Sequence, residues 1–137
     1  MIGISNKTIY AIAAIHQLGL IKQESRLKIK EIAGRGNIPQ KFLEQILLEL
    51  KKNSVLRSTK GANGGYSLAK PIKDITLKEV IGILENNAFE EICKTDNPTL
   101  KLFWEEKQKA LLHVLNTPLS ELNMYQEQAN QNFNYMI

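Results

Sequence analysis

Cysteine is nearly missing from this 137-residue chain. One residue, Cys93, can close no internal disulfide, and it cannot build a cysteine-only metal or cluster site within one chain. Long apolar runs are missing too. None approaches the roughly 20 residues that span a bilayer, so no membrane partner is expected. Met1 to Ile9 shows no basic stretch leading into an apolar core and a small-residue cleavage site, which leaves the cytoplasm as the expected compartment. The marks of an enzyme are also lacking: there is no nucleophile–base pattern, and no phosphate loop followed by Lys and Ser or Thr. No segment repeats.

What is present suits one folded unit with an arm. The 43% hydrophobic and 23% charged content is that of an ordinary globular protein of this length. The net charge of +4 conceals a division: 13 Lys and Arg stand against 5 acidic residues through residue 75, and 5 Lys against 9 acids beyond it. The basic half suits a polyanion; a lysine-rich solvated surface would carry the same count.

Ser5, followed by Thr8, Ile9, Ile12, Ala13, His16 and Leu20, reads as the cap of a first amphipathic helix ending near Gly19 to Lys22. Being mostly apolar, it is expected to be buried. A second, short helix covers Lys30 to Ala33, broken by Gly34 and Gly36. Pro39 opens a third helix that runs to about Asn53. At about 100° per residue, Phe42, Leu43, Ile46, Leu47 and Leu50 share its packing side, while Lys41, Glu44, Gln45, Leu48 and Lys52 point the other way. Gln40, Lys41, Glu44 and Gln45 at its start are the side-chain types that read base edges in a major groove; a solvated face of an amphipathic helix looks alike.

The next segment narrows the choice. Val55 to Lys60 and Tyr66 to Ala69 form two short strands around Gly61, Ala62, Asn63, Gly64 and Gly65. Glycine allows positive φ and close backbone approach, so this tip, flanked by Arg57 and Lys60, can lie along phosphates. Helix, turn, helix and basic hairpin in that order make a mainly α, winged helix-turn-helix domain with a two-stranded β-hairpin wing. Arg35, Lys51, Lys52, Arg57, Lys60, Gly61, Asn63, Gly64 and Gly65 become candidates for DNA backbone or wing contacts, and double-stranded DNA becomes the expected partner. A winged helix that docks an acidic protein would share these features.

Thr76 and Glu79 read as a capping box opening a fourth helix with Val80, Ile81, Ile83 and Leu84 inside. Asn97 and Pro98 start a long fifth helix to about Leu115. Its Leu100, Phe103, Trp104, Leu111 and Val114 form a stripe with no core of its own to meet, which makes a second copy the expected cover: a C-terminal dimerisation helix and a homodimer. Thr117 to Leu119 begin another short helix, and the Gln- and Asn-rich stretch from Gln126 to Asn134 is expected to fray. The expected division is 1–86 for DNA binding, 87–97 as a loop, and 98–137 as dimerisation helix and arm.

Phe42-Leu43-Glu44-Gln45-Ile46-Leu47, Leu56-Arg57-Ser58, and Gly61 through Pro71 resemble, in order and spacing, the Rrf2 family of bacterial regulators. Ile75-Thr76-Leu77, Leu102-Phe103-Trp104 and Thr117 through Leu122 extend the resemblance over most of the chain. It implies a dimer on a pseudo-palindromic operator, most often as a repressor, with the fifth helix at the dimer contact. Many members hold an iron–sulfur cluster on three cysteines in the loop after the fourth helix. Here Ile92-Cys93-Lys94-Thr95-Asp96-Asn97 keeps one, so no cluster and no metal site are expected. His16 and His113 carry no ligand spacing and read as core or interface residues. Cys93 reads either as a small residue left from a lost site or as a redox-sensing thiol, which Lys94 would assist and Glu90 and Glu91 oppose.

Overall fold

A computed structural model describes residues 3–89 and 94–136. Helices α1 (Asn6–Leu20), α2 (Ile29–Gly36) and α3 (Gln40–Lys52) lead into strands β1 (Leu56–Thr59) and β2 (Gly65–Leu68). Helices α4 (Leu77–Leu84), α5 (Pro98–Leu115) and α6 (Leu122–Met136) follow, with 3-10 turns at Ile72–Asp74 and Leu119–Glu121. The order is that of the expected winged helix-turn-helix, with an antiparallel wing pairing Leu56 to Leu68 and Thr59 to Gly65. Leu27 pairs with Tyr66 on the other edge of β2 and ties the wing to the entry of α2. No helix among the described residues is long and apolar enough to cross a membrane.

One core joins these elements. Leu43, Ile46, Leu47 and Leu50 of α3 have no exposed surface, and each such burial contributes about 1.5–3 kcal/mol, so the orientation of α3 is firmly held. Phe42, expected on the same side, is 47% exposed. It lies at the margin of the apolar arc, where a small rotation of the helix decides between core and solvent. On α1 the buried side is Thr8, Ala11, Ala14, Ile15 and Leu18, whereas Ile9 and Leu20 are about half exposed. The alanines let α1 approach its neighbours closely; a face chosen by bulky residues alone misses such a crossing.

Helix α2 runs through both glycines that were expected to break it. It ends instead on Asn37, in the left-handed region at φ 52, while Ile38 turns back so that its N–H donates to the Ala33 carbonyl at 2.9 Å. Gly36 makes room for that return, because a Cβ there would come within 2.9 Å of the Ile38 side chain. At α4 only half of the capping box forms. Thr76 Oγ1 accepts the Glu79 N–H at 3.2 Å, but the Glu79 carboxylate binds the Lys70 ammonium at 2.7 Å.

Residues 117–122, read from sequence as part of a C-terminal arm, rejoin the first domain. The Leu77 N–H donates to the Thr117 carbonyl at 2.9 Å and the Leu119 N–H to the Ile75 carbonyl at 2.8 Å, leaving the Leu119 side chain in the core. The Gln- and Asn-rich stretch is helical in α6 and not frayed. The 3-10 turn anchored by Leu119 supplies the costly first turn from which that helix extends.

Candidate nucleic-acid interface

The first turns of α3 carry Gln40, Lys41 and Glu44 outward, because the opposite side of that helix is spent in the core. Across from them stands the wing, with Ser58, Thr59, Lys60, Gly61, Gly64 and Gly65. Between helix and wing lies an open groove of about 840 Å³, whose lining also includes Tyr66, Lys28 and Ile29. Four lysines, Lys28, Lys41, Lys51 and Lys60, line it against a single acidic residue, Glu44. A groove with that balance concentrates a polyanion.

Backbone geometry shapes the wing. The chain turns at Gly61, with φ 107, and the Gly64 N–H returns to the Gly61 carbonyl at 3.0 Å. A Cβ on Gly64 would fall on the Thr59 carbonyl oxygen. Gly65, with φ 142, lies so close to the Leu27–Lys28 backbone that a Cβ would sit 2.6 Å from the Leu27 oxygen. That approach lets Leu27 and Tyr66 exchange two backbone hydrogen bonds, of 3.0 and 2.8 Å, and brings Lys28 to the groove.

The structure gathers Gln40, Lys41, Glu44, Lys51, Lys60, Gly61, Gly64 and Gly65 from among the sequence candidates. Others lie elsewhere. Gln45 and Lys52 are exposed on α3 outside the groove lining; the Gln45 amide donates to Glu49 Oε1 at 3.0 Å. Arg35 lies 3.8 Å from Glu31 on α2. Arg57 donates to the Ala69 carbonyl at 3.3 Å and lines an adjoining recess, which shares Lys51, Ser58 and Thr59 with the groove. Asn63 is exposed near the tip, outside the groove lining. Lys28, Ser58, Thr59 and Tyr66 escaped the sequence reading. Strand alternation could have suggested Ser58 and Tyr66, which are paired across the hairpin, but no local signal brings Lys28 here.

The family model described as Rrf2, an iron-dependent transcriptional regulator, matches residues 4–123. The chain belongs to the Rrf2 family. Protein rrf2 of Nitratidesulfovibrio vulgaris is 30% identical over 83% of this chain and 81% of its own length. Among solved structures, CymR, the global cysteine regulator of B. subtilis, aligns with a TM-score of 0.77 at 29% identity, over 91% of this chain and 98% of that one. The IscR of T. potens aligns with a TM-score of 0.73 at 30% identity, over 93% and 90% of the two chains. As an Rrf2 protein this chain is a DNA-binding transcriptional regulator and not an enzyme.

The iron of the family description needs donors. This Rrf2 chain has one thiol, Cys93, which lies outside the described residues together with Glu90 and Glu91. One thiol is fewer than the three loop cysteines that the family resemblance implies for a cysteine-held cluster. Among the described residues no three His, Cys, Asp or Glu side chains converge. His113 is exposed on α5, and His16 encloses an Nε2 with no hydrogen-bond partner. On α5 no residue is buried, and Leu100, Phe103, Trp104, Leu111 and Val114 are about half exposed or more.

Proposed function

We propose that this Rrf2 regulator acts as a homodimer on a pseudo-palindromic duplex operator, as a repressor, without an iron–sulfur cluster. The observation that carries the reading is the basic groove in which the start of α3 meets a glycine-tipped wing. Gln40, Lys41 and Glu44 are assigned to base edges; Lys28, Lys51 and Lys60, with the backbone of Gly61, Gly64 and Gly65, are assigned to phosphates and wing contacts. The apolar stripe of α5 is assigned to the two-fold contact, which places two such grooves on one duplex. Repression asks only for occupancy of the operator. The single thiol supports the cluster-free reading.

Duplex-binding titrations test these roles on protein purified anaerobically and free of visible cluster absorption. Lys60→Ala is expected to weaken binding to all sequences alike and to lower the slope of log affinity against log salt by about one per subunit. Glu44→Ala is expected to shift base preference by about 1–3 kcal/mol at one position per half-site. Equal losses on selected and scrambled duplexes for both variants would overturn the division of roles. A near-zero salt slope would overturn the groove assignment.

A further inference from the structure

A large apolar ring stands half exposed on the DNA-facing helix, next in sequence to a lysine of the groove. Phe42 is 47% exposed, although Leu43, Ile46, Leu47 and Leu50 of α3 are fully buried. The ring is not loose. Tyr10 of α1 lies against it with centroids 6.1 Å apart and planes 17° from parallel, the offset stacking that aromatic pairs favour. The Lys41 ammonium sits 4.8 Å from the Phe42 ring centroid, within the range of a cation–π contact. An aliphatic residue could cover the same patch of α1, but it would offer Lys41 no ring face.

We propose that Phe42, clamped by Tyr10, is a positioning residue that holds the Lys41 ammonium ready at the groove, so that the packing of α1 on α3 sets where this cation meets DNA. A free lysine loses side-chain entropy when it docks, and a lysine already seated on a ring loses less. The stack therefore strengthens binding through Lys41, with no contact of its own to DNA required. This rests on the assignment of Lys41 to the nucleic acid.

A double-mutant cycle on the full chain tests it, using a duplex selected from a random-sequence pool by the wild-type protein, with thermal unfolding to confirm that each variant is folded. Phe42→Leu is expected to weaken binding roughly two- to fivefold per subunit. In a Lys41→Ala background the same change is expected to do nothing further, Tyr10→Ala should reproduce the Phe42→Leu loss, and Phe42→Tyr, which keeps the ring face, should restore wild-type affinity. A Phe42→Leu loss of equal size with and without Lys41 would overturn the proposal, because the ring would then touch DNA itself or merely brace α3. No loss from Phe42→Leu would overturn it as well. If the wild-type chain selects no duplex at all, the failure belongs to the proposed function; if it selects one and the cycle is additive, only the positioning role fails.

Discussion

Glu85 closes the ring of elements from the far end. Its Oε1 accepts the Ser5 N–H at 2.7 Å, the Ser5 hydroxyl at 2.7 Å and the Thr8 hydroxyl at 2.8 Å, joining the end of α4 to the start of α1. These donors, the Ser5 backbone N–H foremost and the hydroxyls of Ser5 and Thr8 next, hold the carboxyl below the usual carboxylate range. A folded-state pKa that is lowered stabilises the fold above the unfolded value, and the contribution is lost as pH falls through the folded one. The urea midpoint of the wild type is thus expected to exceed that of Glu85→Gln at neutral pH, and the gap to close in acid, below the usual carboxylate range. A gap that stays constant through acid would refute the clasp. Ser5 was legible as a cap, since Ser ahead of an apolar run is a local signal. Its partner 80 residues away was not, and neither was the exposure of Phe42.

At the scale of elements, the wing depends on one close approach. Gly65 combines positive φ with backbone contact to Leu27, so Gly65→Ala adds conformational strain and a clash with a carbonyl that cannot yield. A loss of about 1–3 kcal/mol in thermal unfolding is expected, together with weaker duplex binding as Lys28 and the wing part. Unchanged stability would show that Gly65 is not needed for the Leu27–Tyr66 pairing. The glycines of this tip were legible as a hairpin turn, but which glycine serves the turn and which serves the neighbouring backbone was not. Gly34 and Gly36 illustrate the same limit from the other side: they lie within α2, and Asn37 supplies the left-handed residue that ends it.

The whole molecule is held by a return of the chain. The segment between α5 and α6 pairs with the residues that open α4, and Leu119 fills the core. Helix α5 is thereby carried out from the domain and back with its apolar stripe uncovered, Phe103 and Trp104 edge-to-face at 5.6 Å and an angle of 77°. For the proposed homodimer, Trp104→Glu places an unpaired charge in that contact. The variant is expected to sediment as a monomer, with operator affinity at least about tenfold weaker because one half-site's contacts remain. Sedimentation unchanged at equal concentration would remove α5 from the dimer contact.

Local chemistry along the chain sets the order of helices and hairpin, the caps at Ser5 and Asn97, the buried leucines and isoleucine of α3, and the basic character of the first half. Each of these follows from periodicity, turn residues or charge within one segment. Which of the candidate cations meet in one groove depends on how distant segments pack. The Leu27–Tyr66 pairing brought Lys28 in, Lys52 lies outside the lining although Lys51 beside it belongs to it, and Glu31 lies beside Arg35 on α2. These depend on contacts between segments distant in the chain, or on a helix rotation of a few tens of degrees, and neither is written in the spacing of residues along one element.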